Sequence, residues 1–234
     1  MRFRYFLLAG MTSMLAFSDF SITPETTSAK TAKITYWQRL KEIFRRKRRK
    51  PISRPIAQIC FVTPEDRLDR NLTLVYNTKP FFLWNGNIKK VAVGIPGSQE
   101  YLKTKVVTET QSINYKGESL EPGKTYKLLI FLSTTKNASP TKFVPFKIMQ
   151  APERNQIAAD LNRLEKSQKS KGADLEKIAS AKAEYFAEKG LWSDALQQAY
   201  SVPNPSPELL QMKKELPLLS CESSSPKGKR SRSR

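Results

Sequence analysis

Leu120-Glu121-Pro122-Gly123-Lys124-Thr125-Tyr126, running on into Lys127-Leu128-Leu129-Ile130-Phe131-Leu132, is the stretch that decides the fold. Pro122 presets φ for the first central position of a tight turn, and Gly123 accepts the positive φ that the second requires. The turn feeds an apolar strand, and Tyr126 falls at its start. From there its hydroxyl can return to the backbone just upstream and pin the crossing of one sheet over another.

Outward from this corner the chain reads as short strands separated by turn residues. Residues 56–63 make the first, 72–76 the second, and 80–84 (Pro80-Phe81-Phe82-Leu83-Trp84) the third, with Asn85-Gly86 as a turn signal behind it. Residues 88–95 alternate, with Ile88, Val91, Val93 and Ile95 apolar, as a half-buried strand does. Residues 101–108, 110–115 and 143–149 complete the set. The corner resembles the tyrosine corner of fibronectin type III and immunoglobulin-like modules. The expected fold is α+β: an immunoglobulin/fibronectin-III-like β-sandwich over residues 55–150, with Trp84 and Tyr126 in its core, followed by a small helical subdomain over 151–221.

After Pro152 the period changes from two to 3.6. Ile157, Leu161 and Leu164 share one face; Leu175, Ile178 and Tyr185, with Ala179, Ala183 and Phe186 beside them, form the next. Gly190 closes that helix, and Leu191-Trp192-Ser193-Asp194-Ala195-Leu196 opens another that Pro203, Pro205 and Pro207 end, with Trp192 expected in the core. The piece from Ala183 through Leu196 resembles one helical hairpin of a tetratricopeptide repeat. Such an array needs about three units for a continuous core, so these helices are expected to dock on the sandwich or on each other.

The net charge of +20, from 41 basic and 21 acidic residues, is unevenly spread. Residues 39–54 carry nine basic residues and one acid, and 222–234 five and one, so the flanks are far more basic than the middle. Arg2 and Arg4, an apolar run over 5–17 and Ala16-Phe17-Ser18 have the layout of a secretory signal over residues 1–18. Residues 19–54 read as a flexible basic linker with a short amphipathic segment. There Trp37, Leu40 and Phe44 stand at helical spacing before the run Arg45-Arg46-Lys47-Arg48-Arg49-Lys50. That segment has three readings: contact with an anionic membrane surface, a solvated linker, and, third in order because an export signal opposes it, a nucleic-acid element shared with the Arg/Ser tail. The tail, 222–234, is expected to hold no structure.

The chain has no histidine, which removes Ser-His-Asp triads, imidazole metal sites and histidine proton shuttles together. No phosphate-binding glycine loop, G-x-S-x-G elbow or H-E-x-x-H motif occurs. Glu65, Asp66 and Asp69 form the one compact acidic cluster near a strand, but Arg67 and Arg70 sit among them, which favours a salt-bridged loop over a calcium site. The two cysteines, Cys60 and Cys221, bracket the folded region far from any zinc spacing; they are either two thiols or one bridge tying the start of the sandwich to the end of the helices. These features lead us to expect a non-enzyme with no cofactor and no small-molecule substrate, acting on an unknown protein or envelope component.

Ile59-Cys60, the run Thr78-Lys79-Pro80-Phe81-Phe82-Leu83-Trp84-Asn85-Gly86, the corner, Val144-Pro145-Phe146, the helical piece from Ala183 through Leu196 and Cys221 also resemble, over residues 57–221, a group of secreted cyanobacterial proteins that carry a domain of unknown function (DUF928-like). The resemblance implies an exported, non-catalytic β-domain with helices, and brings no activity with it.

Overall fold

The computed structural model describes residues 35–47, 59–65, 72–107 and 110–222, all within one compact unit, Ile34–Arg234. The signal-like segment, the linker over 19–34, the basic residues 48–50, Asp66 through Arg70 and the tail beyond Glu222 lie outside the described residues. The fold is α+β, with two sheets and five helices: α1 (Tyr36–Lys47), β1 (Cys60–Thr63), β2 (Thr73–Val75), β3 (Phe81–Asn85), β4 (Lys90–Gly94), β5 (Tyr101–Val106), β6 (Ser112–Asn114), β7 (Thr125–Phe131), β8 (Lys142–Ile148), α2 (Ala151–Ser170), α3 (Leu175–Glu188), α4 (Trp192–Ser201) and α5 (Pro207–Glu222).

A three-stranded sheet, in the order β1-β3-β6, faces a five-stranded one, in the order β2-β8-β7-β4-β5. All pairings are antiparallel except β2 with β8. The corner forms as its residues dictate. Gly123 adopts φ +80°, the Lys124 N–H donates to the Glu121 carbonyl at 3.3 Å, and the Glu121 N–H donates to the Tyr126 hydroxyl at 2.9 Å. Between the sheets, Phe61, Phe82 and Trp84 from one side meet Val91, Tyr126, Leu128, Val144 and Phe146 from the other.

β1 and β3 are apolar at consecutive positions because both faces of their sheet are covered. Phe61, Phe82 and Trp84 point to the five-stranded sheet, while Val62, Phe81 and Leu83 join a second core made with the helices. The molecule therefore has three layers, with the small sheet in the middle. In the helical layer Phe186, Leu191, Trp192, Leu196, Leu209 and Leu216 are buried. Gly190, at φ +76°, lets the Leu191 N–H reach back to the Phe186 carbonyl and turn α3 into α4.

Three features differ from the sequence expectation. The segment read as a linker is helix α1, whose Trp37, Leu40 and Phe44 are buried against α3 and α5, so it belongs to the helical layer. A further helix that the reading did not mark, α5, starts at Pro207, the last of the three prolines read as ending the helix before it; proline is tolerated in a first helical turn, where its missing N–H has no partner to lose. Ile95, expected inside, lies just past the end of β4 and is 43% exposed.

Candidate functional site

The sites anticipated from sequence are mostly structural. Trp84 is fully buried, and its indole N–H has no acceptor among the described residues; Tyr126 is buried at the corner, and Trp192 packs edge-on against Phe44 with ring centroids 5.4 Å apart. Trp37 and Phe44, read as a membrane-contact face, are only 4% and 3% exposed. The correction has a plain cause: the apolar stripe of α1 is already covered by the chain's own helices. The Trp37 Nε1–H donates to Glu176 at 2.8 Å, Arg39 pairs with Glu184 at 3.0 Å, and Lys41 pairs with Glu215. Of the basic run, Arg45 is exposed near the end of α1; the side chains of Arg46, Lys47, Arg48, Arg49 and Lys50 lie outside the described residues. Cys60, in β1, is disulfide-bonded, and the sequence has one other cysteine, Cys221, in the last turn of α5, a helix that packs against β1. Glu65 lies at the edge of the described residues, and no group of three or more metal-ligating side chains occurs among them.

Two acids with perturbed surroundings hold layers together. Asp194, in the first turn of α4, is buried and accepts from the Tyr76 and Asn77 N–H groups at 2.9 and 2.8 Å. Burial pushes its carboxyl up to about 6, against the opposing pull of those two N–H groups and of Arg154. The neighbouring Ser193 hydroxyl donates to the Phe81 carbonyl at 3.1 Å, and the Arg154 Nε–H donates to the Tyr76 carbonyl at 2.9 Å. Together these three side chains fasten α2 and α4 to the β2–β3 connection and the first residue of β3. Glu176 does the same within the helical layer, accepting from Trp37, from the Ser206 N–H at 2.7 Å and from its hydroxyl at 2.6 Å. Burial alone would raise the Glu176 carboxyl, but the Ser206 and Trp37 donors bring it below the usual carboxylate range. Both acids are thus engaged by partners that join separate elements of the fold.

Among the described residues an open surface lies where the two sheets end beside each other. β5 closes one side of the five-stranded sheet and β6 one side of the three-stranded sheet, and two adjoining hollows of about 240 and 220 Å³ lie between them. The first is walled by Ser112, Asn114, Phe81 and Tyr200, the second by Phe82, Val91, Val93 and Tyr115; both share Lys105, Ile113, Asn114 and Lys116. Register fixes which β5 side chains face this groove. Lys105 pairs with Val91 and Lys103 with Val93, and since both valines point between the sheets, the two lysines do too. Leu102, Thr104 and Val106 therefore occupy the opposite face. Every residue of β5 is exposed.

The sequence reading recorded β5 as a strand but missed this site. The signal was present as the alternation Leu102-Lys103-Thr104-Lys105-Val106, which places two consecutive charges on the side facing the sandwich interior.

No family model matches the chain, and no curated protein matches it either. No described helix is long and apolar enough to cross a membrane.

Proposed function

We propose that this is an exported, non-catalytic interaction protein that acts at the cell envelope through the surface of an immunoglobulin-like sandwich buttressed by helices. The observation that carries the reading is the disulfide at Cys60. Persistent structural disulfides belong to oxidising compartments outside the cytosol, and the signal-like layout over residues 1–18 supplies a route there. Cys221 is the bridge's partner in this reading, which joins the first strand to the last helix and encloses nearly the whole folded chain.

The immunoglobulin-like reading is supported by the strand order. One sheet of three strands faces one of five, the parallel β2–β8 pair sits at an edge, and the tyrosine hydrogen-bonds upstream at the start of β7. The α3–α4 hairpin, with Ala183 and Ala195 buried and Gly190 at the turn, supports kinship with a single tetratricopeptide-type unit, used here as a buttress against β3. The same assembly is in keeping with the secreted cyanobacterial group that the sequence resembles. The non-catalytic reading is supported by two acids that are engaged in structural hydrogen bonds, Asp194 with the Tyr76 and Asn77 N–H groups and Glu176 with Ser206 and Trp37.

Alkylation of the native protein in its own cells, followed by fractionation and mass analysis, tests the reading. The expected result is a mature chain outside the cytosol, lacking Met1 and taking up no alkylating agent until it is reduced. Two alkylated thiols on an intact chain in the cytosolic fraction would overturn it.

A further inference from the structure

We propose that the free edge of β5 and the groove beside it bind an extended, acidic segment of a partner protein by strand addition, with carboxylates directed to Lys103, Lys105 and Lys116. This deepens the interaction role above and rests on it.

The argument begins with main-chain groups. Among the described residues β5 has a strand partner on one side only, β4, so its other edge presents N–H and C=O groups that no described strand pairs with, the template for an added strand. The side chains of β5 then dictate what that strand must carry. Residues opposite one another across a strand pair share a face, so positions opposite Lys103 and Lys105 project toward the groove, and positions between them lie beside Leu102, Thr104 and Val106. The groove side carries three lysines, and none has a carboxylate partner among the described residues. Two adjoining hollows of about 240 and 220 Å³ can each receive a side chain of such a segment. The first hollow adds donors for a carboxylate, the Ser112 hydroxyl and the Asn114 amide, to Lys105 and Lys116. The outer positions, beside Leu102 and Val106, which are 45% and 52% exposed, favour β-branched or other apolar side chains. The occupant is thus an extended segment that alternates acidic and apolar residues. A second copy of β5 does not qualify, because lysine would stand against lysine and like charges directly opposed destabilise a strand pair.

The test uses the full-length oxidised protein and a fluorescent peptide alternating glutamate with valine. A lysine–valine peptide, and a glutamate–valine peptide with proline at the positions that would pair with β5, serve as controls. We expect saturable binding of the acidic peptide alone. Affinity should fall at least about tenfold in a variant carrying Lys103→Glu and Lys105→Glu, and that variant should acquire affinity for the lysine–valine peptide. Both side chains are exposed, so the variant should unfold at the wild-type temperature, which is measured alongside. Equal binding by wild type and variant, equal binding of the proline peptide, or no saturable binding at millimolar peptide would overturn the proposal. So would lysine-dependent binding to phosphatidylglycerol vesicles in place of the peptide, which would assign the edge to a lipid surface. The variant retains Cys60 and its export route, so a failure here leaves the compartment result standing and can be told apart from failure of the interaction role itself.

Discussion

Replacing Tyr126 with phenylalanine removes one hydroxyl and leaves the Glu121 N–H to water, so the corner should loosen by about 1 kcal/mol in denaturant unfolding, with the fold unchanged. Asp194 should behave differently because it is buried and titrates. Its carboxyl is raised from 3.8 to about 6, so between those values the folded chain holds a proton that the unfolded chain has released. Its contribution is therefore most favourable at acid pH and declines as pH rises through that window, by up to ~3 kcal/mol. Glu165, held near 2 by Lys169 and Lys182, and Glu176 work in the opposite sense, contributing above their unfolded values and losing it as pH falls through their folded ones. Asp194→Asn retains all of these, so wild-type stability minus that of Asp194→Asn, measured by urea unfolding from pH 4 to 7, should fall as pH rises. Tyr126 was legible in the sequence because its partner lies five residues away in a turn spelled by Pro122 and Gly123. Asp194 was not: its partners are main-chain N–H groups 118 and 117 residues away, and a backbone group has no sequence signature.

At the scale of elements, α1 and α5 make the instructive pair. The spacing of Trp37, Leu40 and Phe44 announced an amphipathic helix, but periodicity defines a face without naming what covers it, and here the cover is α3 and α5. Trp37→Ala should cost about 3–5 kcal/mol, read as a lower urea midpoint with lost helical signal, since it opens a void and strips Glu176 of a donor. A residue lying on a membrane would show no such loss. α5 was hidden by its prolines, yet Pro207 occupies the one helical turn that tolerates it, and Pro217 is buried within the helix. If α5 is tied to β1 through Cys221 and Cys60, then reduction, or Cys60→Ser with Cys221→Ser, should lower stability by up to about 5 kcal/mol, as expected for a long closed loop. Cys60→Ser alone should expose one titratable thiol in denaturant.

The described fold should unfold as one unit because its middle sheet belongs to two cores. Val62 and Phe61, adjacent in β1, face opposite layers, as do Phe81 and Phe82 in β3. Calorimetry should therefore show a single unfolding transition with no separate helical step. A fragment spanning 59–149 should fail to fold alone, because Val62, Phe81 and Leu83 would face water; a cooperative transition in that fragment would contradict the layered account. The strand grammar of the sequence exposed all eight strands, since alternation and turns are local. The division into sandwich and helical subdomain obscured their shared layer, because an apolar run such as Phe81-Phe82-Leu83-Trp84 records burial on both faces without recording by what.

The packing of α1 against α5 places residues near positions 40 and 215 in contact, with Lys41 on Glu215 and Thr35 on Glu208. Synthesis runs from the N-terminus, so Trp37 and Phe44 leave the ribosome long before Leu209 and Leu216 exist to cover them. At about 5–20 residues per second this interval lasts many seconds, during which a greasy helix followed by six cations has no native home.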